Sequence, residues 1–500
     1  MGSAVVEDYD VIIVGAGLSG INSAYLLGQQ IPDCKYTILE ARDVIGGTWA
    51  FWKYPGARSD SSATVFRFAW HPWPHDMNFP DAPLVQAYAE DAARVHDIDK
   101  NIQFHRKVGD RHWSTADQMW TVDVTDAVTD NKLPQMRARW LINCSGYYSY
   151  EQSLQVEIPG IKQFQGKVVH PQFWKPGKPE FDMHGKNVVI IGSGATAITM
   201  LPHVAKVAKQ ATMLQRSPSY VLAMPRKDKM THLLQRLLPR GLADWIDWYR
   251  QIIIETAFVW WLQNFPNTGK RMLRTQAKRR LPKDLDVDVH FKPAYNPFEQ
   301  RLCMSPDADF FKALRQDNCT IVTDTIETVT PTGIRVKGSD AEIPADMIVT
   351  ATGLYVEILN GRVPIVDGKP IDVAKLYSWR SCMVEAVPNL CFIIGYTTGT
   401  WTPGADAHFR TVLAVMKEMR RRGATSATPT VDAATRASLP QKPALPNSSG
   451  YLVRARDRLP MSSGKYPWVT GLTFMYDTWY NWFGNVRDGM KYTVPNKKTL

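Results

Sequence analysis

Two short apolar segments dominate the pattern of hydrophobic and polar positions, because each runs directly into a glycine-rich turn. Tyr9–Val14 and Asn187–Ile191 are apolar at most positions and rich in β-branched residues, which is typical of parallel strands buried on both faces. After the first turn, Ile21–Leu27 has the apolar spacing of a helix. The chain therefore predicts two strand–turn units, the first continuing into a helix.

The first turn has the spacing Gly15-x-Gly17-x-x-Gly20. In such a turn the first glycine permits a tight bend, the second lets the backbone approach a pyrophosphate, and the third lets helix and strand pack closely. The next strand, Tyr36–Leu39, ends in Glu40, an acid where a ribose hydroxyl would bind. This pattern predicts a dinucleotide site. Its place near the N-terminus, ahead of a second such site, predicts FAD as the ligand.

The second turn differs from the first in its third position and in the residues after the next strand. The third position is Ala197, an accepted variant of the fingerprint, and the next strand, Ala211–Leu214, leads to Arg216 and Ser217 and not to an acid. A carboxylate there would repel a 2′-phosphate, whereas arginine can bind one with two hydrogen bonds. The second site is therefore predicted to bind NADPH, through Gly192, Gly194, Thr196, Ala197, Arg216 and Ser217.

Two later strand-like segments, Met347–Thr350 and Leu390–Ile394, indicate that the first domain is discontinuous. We expect both to return to it, so that Thr352 and Gly353 bring the backbone close to the flavin. The predicted fold class is α/β, with two Rossmann-like dinucleotide-binding domains and an inserted helical subdomain. The predicted boundaries are residues 1–150 and 340–500 for the FAD domain, 151–217 and 297–339 for the NADPH domain, and 218–296 for the helical insertion.

The insertion contains an amphipathic helix followed by a basic segment. In Asp244–Leu262, polar residues recur every three or four positions and aromatic and aliphatic residues fall opposite them. Asn267–Lys283 then carries seven cations and no acid. Three interpretations stay open for residues 244–283: the roof of a hydrophobic substrate tunnel, ordinary buried packing, or contact with a membrane surface. Nucleic-acid binding is not expected, because no recognition fold accompanies the charge.

Composition narrows the class of protein. The six cysteines are scattered without a C-x-x-C pair, which favours a reducing compartment and argues against a dithiol redox centre or a zinc site. The N-terminus does not resemble a signal peptide, and no charge-free run is long enough to span a bilayer. We therefore expect no metal site and a cytoplasmic protein, with peripheral membrane contact open. The net charge of +11 favours anionic partners such as nucleotides or acidic lipids. The oligomeric state is left undetermined.

Three further strings identify a family. Phe164–Trp174 has the form F-x-G-x-x-x-H-x-x-x-W and resembles the fingerprint of class B flavoprotein monooxygenases. Gly46–Asp60 fits G-G-x-W-x-x-x-x-Y-P-G-x-x-x-D, which resembles a pattern of the Baeyer–Villiger branch. Tyr295–Cys303 resembles the segment in which that branch has its active-site arginine. The chain also resembles the ethionamide-activating type of that branch. Lys175 between the fingerprint and Pro176 is instead typical of the related branch that oxygenates nitrogen and sulfur.

The resemblance implies a reaction and residues for it. NADPH would reduce FAD, O₂ would give a C4a-peroxyflavin, and oxygen would be inserted next to a ketone carbonyl to give esters or lactones, with S-oxidation of sulfides or thioamides as a second activity. Arg301 would stabilise the negative charge, since arginine cannot lose its own charge, and Asp60 would orient Arg301. Flavin contacts are assigned to Gly15, Gly17, Gly20, Glu40, Thr48, Trp49, Asp60, Thr352 and Gly353.

The fingerprint residues are assigned a different task. They lie in a linker between the two predicted domains, so a hinge role is expected for His170, although simple packing remains an alternative. The hinge set is Phe164, Gly166, His170 and Trp174. Gln300 departs from the pattern, because many Baeyer–Villiger enzymes have there a lysine that helps bind the 2′-phosphate. The alternative functions are an N- or S-hydroxylating flavin monooxygenase and a non-catalytic flavin-binding protein.

Overall fold

The computed structural model describes residues 7–396, 399–445, 447–471 and 473–495. The α-helices within these residues are α1 (Leu18–Gln30), α2 (Thr48–Phe51), α3 (Ala63–Phe66), α4 (Ala82–Val95), α5 (Ala195–Val204), α6 (Lys229–Leu237), α7 (Arg240–Asn264), α8 (Pro266–Lys278), α9 (Val287–His290), α10 (Asp309–Ala313), α11 (Trp401–Arg422), α12 (Ala433–Ser438), α13 (Gly450–Val453) and α14 (Phe474–Phe483). Short 3-10 helices span Asp99–Asn101, Ile161–Gln163, Pro171–Phe173, Pro179–Phe181, Leu359–Gly361, Val373–Lys375 and Arg456–Arg458.

The strands are β1 (Glu7–Val14), β2 (Tyr36–Leu39), β3 (Ile102–Gln103), β4 (Arg106–Ser114), β5 (Met119–Asp126), β6 (Lys132–Asn143), β7 (Lys167–Val169), β8 (Asn187–Ile191), β9 (Gln210–Gln215), β10 (Val221–Met224), β11 (Cys303–Pro306), β12 (Cys319–Thr323), β13 (Ile326–Val329), β14 (Gly333–Val336), β15 (Ile343–Pro344), β16 (Met347–Thr350), β17 (Ile365–Val366), β18 (Lys369–Pro370), β19 (Ser378–Trp379), β20 (Met383–Val384), β21 (Leu390–Phe392), β22 (Ser426–Pro429), β23 (Lys442–Pro443), β24 (Met461–Ser462) and β25 (Met490–Thr493).

The first large sheet is centred on β1, which pairs in parallel with β2 on one side and β6 on the other. Val11 and Ile13 pack into one hydrophobic cluster, with α1, α4 and α11, whereas Ile12 and Val14 pack into another on the opposite face. Because both faces are covered, the strand is apolar at successive positions. As expected, Leu390–Phe392 returns to this sheet as β21 and pairs with β6.

The second large sheet is parallel throughout, in the order β12-β9-β8-β16-β7. Its central strand β8 also buries alternate residues in two clusters. The prediction that Met347–Thr350 returns to the first sheet is wrong: this strand is β16, between β8 and β7. The sequence of a buried apolar strand does not indicate which parallel sheet the strand joins. The second domain therefore extends at least to the end of β16, and the predicted boundary at residue 340 is too early.

The helical insertion contains α6, α7, α8 and α9, as predicted, but it begins with strand β10, which pairs in parallel with β11. Its longest element, α7, has 25 residues and packs against α3 of the first domain and against α6 and α8. Among the described helices, none is both long enough and apolar enough to cross a membrane. With the boundary corrected, the predicted α/β architecture of two Rossmann-like folds and a helical insertion is confirmed.

Candidate active site

The first glycine turn is closed by contacts between backbone atoms. Gly15 has φ of +101°, and a Cβ on Gly20 would lie 2.0 Å from the Gly15 carbonyl oxygen, so the third glycine is needed for helix and strand to pack. Glu40 is buried beside this turn and accepts hydrogen bonds from the backbone N–H of Ala16 at 2.8 Å and of Arg42 at 3.0 Å. Helix α1 begins after Gly17 without a side-chain cap. Its first N–H groups can therefore serve an anion such as a pyrophosphate.

The second glycine turn is more open. A Cβ on Gly192 would lie 2.3 Å from the Ala351 carbonyl oxygen, but one on Gly194 would meet nothing within 4 Å. Helix α5 begins after Gly194, again without a side-chain cap, and Ala197 in its first turn is buried. The Ser193 hydroxyl donates to the Ser217 carbonyl oxygen at 3.0 Å, which brings the exposed residues after β9 up to the turn.

Arg216 is exposed and directly follows the last residue of β9. Among the described residues, no carboxylate lies within ion-pair distance of its guanidinium. An exposed arginine next to a helix N-terminus can accept a phosphate without first breaking a protein contact. The two turns therefore both fit the phosphates of a dinucleotide, and the second also presents a cation.

Residues 46–60 join the two folds. Gly47 has φ of +57° and approaches Gly17, since a Cβ on Gly47 would lie 2.9 Å from the Gly17 Cα. Further along, Gly56 has φ of +84° and presses on α5, where its Cβ would lie 2.3 Å from the Thr199 carbonyl oxygen. The buried Arg58 side chain pairs with Asp309 of the second domain. One segment of the first domain thus contacts both glycine-turn units.

Thr48 and Trp49 lie inside this segment. The Thr48 hydroxyl is 3.2 Å from the Tyr150 hydroxyl, and the Trp49 ring packs edge-on against Phe66 with ring centroids 5.5 Å apart. Trp49 is half-buried and borders two hydrophobic clusters. Its packing alone accounts for much of its environment, so a role in flavin contact stays a prediction.

Asp60, at the end of the segment, forms a bidentate ion pair with Arg301. Arg301 Nε donates to Asp60 Oδ2 at 3.0 Å, and Nη2 donates to Oδ1 at 2.9 Å and to Oδ2 at 2.8 Å. The side chains of Arg301 and Asp60 are 42% and 22% exposed. Asp60 raises the pKa of Arg301 well above its usual range, against the opposing effect of burial. The predicted pair exists, and it holds a permanent cation at the junction of the two folds.

The loop that carries Arg301 is fixed from both sides. The Glu299 carboxylate accepts from the Asn296 backbone N–H at 2.9 Å and from the Asn296 side-chain amide at 2.6 Å. The Ser448 backbone N–H and hydroxyl donate to the Glu299 carbonyl oxygen at 2.8 and 2.9 Å. A segment 149 residues beyond Glu299 in the sequence therefore helps to position Arg301.

A group of tyrosines surrounds the ion pair and was not predicted from the sequence. The Tyr147 and Tyr148 hydroxyls are 2.5 Å apart, and the Tyr147 ring stacks on Trp401 with centroids 5.4 Å apart. Burial raises the pKa of Tyr147, of Tyr148 and of Tyr451, and the nearby charge of Arg301 opposes each shift. All three hydroxyls therefore stay protonated and able to donate hydrogen bonds.

Only part of this group left a sequence signal. Tyr147 and Tyr148 lie just beyond the end of β6, where an edge of a parallel sheet forms sites, and that position could have identified them. Tyr451 lies in a Ser-, Pro- and Ala-rich stretch far from any fingerprint, so nothing in the local pattern marks it. Gly353, reached from β16, lies beside Tyr451, since its Cβ would be 3.3 Å from the Tyr451 Cβ.

The fingerprint segment forms edge strand β7 and the turn after it. Trp174 is buried against Phe181, with ring centroids 5.0 Å apart, and a Cβ on Gly166 would lie 2.4 Å from the Asp346 carbonyl oxygen. The half-buried Phe164 ring packs against a hydrophobic cluster on one face of the second sheet. These three residues anchor the segment to the second domain.

His170 caps the short turn that follows β7. Its Nδ1 accepts the Gln172 backbone N–H at 3.2 Å, and the Gln172 amide donates to the carbonyl oxygens of Ser149 and Gln152 at 2.8 and 3.1 Å. Burial lowers the pKa of His170, so the imidazole is neutral at pH 7. The turn therefore connects β7 to the chain leaving the first domain, which is where a hinge would lie, although motion itself stays a prediction.

Comparison with known proteins identifies the family. A family model described as "FMO-like: Flavin-binding monooxygenase-like" matches residues 8–254. The chain is 38% identical over 479 residues to a "FAD-containing monooxygenase EthA" of Mycolicibacterium smegmatis, covering 95% of this chain and 94% of that protein. It is 37% identical over 469 residues to a "Putative FAD-containing monooxygenase MymA" of Mycobacterium tuberculosis, covering 92% of each.

The fold is also found among solved structures. An oxidized steroid monooxygenase bound to NADP has a TM-score of 0.75, with 19% identity, over 98% of this chain and 100% of that one. OTEMO in complex with FAD and NADP has a TM-score of 0.73, with 20% identity, over 97% and 99%. At such low identity these structures support the fold alone. The EthA and MymA relatives, in contrast, are more than one third identical to this chain over most of its length. The chain belongs to the flavin-binding monooxygenase-like family.

Proposed function

We propose that this protein is an FAD- and NADPH-dependent Baeyer–Villiger monooxygenase, which inserts one atom of O₂ next to a ketone carbonyl to give an ester or lactone. The observation that carries this proposal is the bidentate Asp60–Arg301 pair, which fixes a permanent cation at the junction of the two folds. S-oxidation of sulfides or thioamides is proposed as a second activity of the same site.

The two turns divide the cofactors between them. The first, with buried Glu40 next to the Ala16 N–H, suits FAD, because its contacts are closed and made by backbone. The second, with Arg216 exposed beside an uncapped helix, suits the 2′-phosphate of NADPH. When bound, the flavin accepts a hydride from NADPH and activates O₂ for transfer to the substrate.

Arg301 provides charge stabilisation that does not depend on pH. Nε and Nη2 bond to Asp60, so the opposite edge of the guanidinium, with Nη1, is directed away from the carboxylate. That edge can donate to the carbonyl oxygen of a bound ketone and to the negative charge that grows on it during oxygen insertion. Asp60 acts by holding the guanidinium plane, since a bidentate pair fixes both its position and its orientation.

The tyrosines add hydrogen-bond donors near Arg301. Tyr147, Tyr148 and Tyr451 keep their protons, and each lies close enough for the charge of Arg301 to act on it. With cofactors and substrate bound, fewer waters would screen Arg301, which would strengthen its electrostatic contribution. The exclusion of water would also protect activated oxygen from release as H₂O₂, which is the side reaction that a monooxygenase has to suppress.

N- or S-hydroxylation as the main activity is the second candidate. It is favoured by Lys175, which comes directly after Trp174 where the Baeyer–Villiger branch usually has proline. The Arg301–Asp60 pair argues for ketones, since a guanidinium can bind a carbonyl oxygen but not a protonated amine. The two candidates differ in product and can be separated directly.

The test is product analysis under labelled oxygen. Purified protein is incubated with NADPH, ¹⁸O₂ and phenylacetone or a long-chain 2-ketone, and the products are identified by GC–MS. An ester carrying one ¹⁸O atom is the expected result, and a control with H₂O₂ in place of NADPH and O₂ should give none. Oxidation of a sulfide and a tertiary amine, without ester from either ketone, would instead establish the second candidate.

A further inference from the structure

Helix α7 is oriented with its polar side towards the protein. Asp247 is 3% exposed and bonds to the Thr231 hydroxyl at 2.7 Å, and the buried Gln251 amide donates to Asp228. Glu255 accepts from the Thr400 hydroxyl at 2.8 Å, and burial raises its pKa to about 7. The acidic side chains of α7 thus form hydrogen bonds within the protein and do not make a solvent-facing surface.

The outward side of α7 is apolar. Trp245 is 60% exposed, Ile253 is 55% exposed and Trp260 is 58% exposed. The residues of this stripe recur at helical spacing, so they form one continuous face: Leu242, Trp245, Tyr249, Ile253 and Trp260. A water-soluble surface helix has the reverse arrangement, and contiguous exposed apolar surface of this kind marks an interaction site.

Helix α14 also exposes an apolar face, although it lies more than 200 residues further along the chain. Its exposed apolar side chains are Met475, Trp479, Trp482 and Phe483, spaced as one helical face. Phe474 at its start packs edge-on against Trp248 of α7, with ring centroids 5.1 Å apart. Two helices from distant parts of the chain therefore meet at this ring pair, and each presents an exposed apolar face.

The charge around this surface is positive. Between Lys229 and Lys283 the sequence has eleven cations but only three acids, and those acids are Asp244, Asp247 and Glu255 on the inward side of α7. Exposed cations flank the apolar side chains of α6, where Lys229 precedes Met230 and Arg236 precedes Leu237, and both of these apolar side chains are exposed.

We propose that α7, α14 and the adjoining α6 form a docking surface for an anionic lipid bilayer, on which the protein rests without crossing it. The exposed aromatic side chains can insert among the acyl chains at the bilayer surface, and the surrounding cations can bind the anionic headgroups. A second copy of the chain would bring cations against cations, since each carries a net charge of +11. This inference rests on surface chemistry and does not depend on the proposed reaction.

The experiment is vesicle co-sedimentation of the full-length, flavin-loaded protein. Vesicles of phosphatidylglycerol mixed with phosphatidylcholine are compared with pure phosphatidylcholine, at low and high salt. We expect binding to the anionic vesicles that falls at high salt, together with a blue shift of tryptophan fluorescence. Absence of binding to anionic vesicles, or equal binding to both at all salt concentrations, would overturn the proposal.

Two variants separate the apolar and cationic contributions. Trp245→Ser with Trp479→Ser should lower the partition coefficient at least about tenfold, and Lys229→Gln with Arg236→Gln about fivefold per cation removed. Val128→Ser, on a turn where Val128 is 71% exposed, is the matched control and should bind as the wild type. Flavin content and thermal unfolding confirm that each variant is folded.

Light scattering on the same proteins tests whether a second copy of the chain, and not a bilayer, covers this surface. If the tryptophan variant converts a dimer to a monomer while vesicle binding stays unchanged, the surface is an interface between copies and the membrane proposal is wrong. If the wild type and the variant have the same mass in solution and only vesicle binding falls, the bilayer is the occupant.

Discussion

The two nucleotide folds and the helical insertion differ in the side chains that they bury. In β1 and β8 every buried position is apolar, and the polar groups collect at the strand ends, where the glycine turns lie. In α7 the polar residues Asp247 and Gln251 are buried beside apolar ones, while several large apolar side chains face outward. The difference shows that a hydrophobic pattern identifies a core only when the partner of each face is known. Substitutions in either region test this contrast.

The largest effect is expected where the folds are most tightly closed. Gly20→Ala would place a Cβ 2.0 Å from the Gly15 carbonyl oxygen, which forces β1 and α1 apart and should cost more than about 4 kcal/mol as well as FAD binding. Gly28→Ala is the control on the same helix, because its Cβ would meet nothing within 4 Å, and it should stabilise by up to about 1 kcal/mol. Thermal unfolding and flavin absorbance measure both; a flavin-loaded, stable Gly20→Ala protein would show that the turn is not needed in this form.

The second-largest effect is expected at Arg301, at the junction between the folds. Arg301→Ala should lower the rate of ester formation about 10²–10³-fold, equivalent to about 3–4 kcal/mol, since it removes a preorganised charge. Anaerobic reduction of the flavin by NADPH should stay near the wild-type rate. Stopped-flow absorbance separates the two steps, and H₂O₂ release should rise.

The conservative variant sharpens this result. Arg301→Lys keeps the charge but not the bidentate geometry with Asp60. It should recover little of the lost activity. Full recovery would mean that charge alone matters and that Asp60 does not orient the guanidinium.

The inward face of α7 should be visible as a pH dependence of stability. Burial raises the pKa of Glu255 from 4.5 to about 7, so the folded state binds this proton more tightly than the unfolded state does. The resulting stability is fully present below pH 4.5 and is lost as the pH rises through about 7, on the order of 3 kcal/mol in total.

Glu255→Gln removes that dependence while keeping an acceptor for Thr400. Denaturant unfolding at pH 5 and pH 8 should give a smaller difference for the variant than for the wild type. An identical difference in both would show that Glu255 is ionised in the fold and that the face is wetter than its contacts indicate.

The smallest effect is expected at the exposed end of β9. Arg216→Ala should raise KM for NADPH about tenfold, close to 1.4 kcal/mol, as expected for an exposed charge-assisted contact with phosphate. KM for NADH should not change, because NADH has no 2′-phosphate. Arg236→Ala, an exposed arginine of α6, is the control; equal increases of both KM values in Arg216→Ala would exclude the phosphate contact.

The sequence predicted most of the nucleotide folds because their determinants are local. The first strand, its turn and Glu40 are close together in the chain, and the structure brings Glu40 to the Ala16 N–H. The assignment of Met347–Thr350 failed since a buried parallel strand has the same composition in either sheet. The direction of α7 and the position of Tyr451 depend on distant partners, Thr400 and Arg301, which no local spacing encodes.

The Asp60–Arg301 pair has a consequence for the order of folding. Its members are 241 residues apart in the sequence, and Arg301 reaches Asp60 only after the second fold and the insertion have closed between them. Contacts of such long range form late, because the loop entropy must be overcome before they contribute. A chain emerging from the ribosome could thus acquire its first nucleotide site well before it acquires the fixed cation, so that incompletely folded molecules hold flavin without the means to direct its oxygen chemistry.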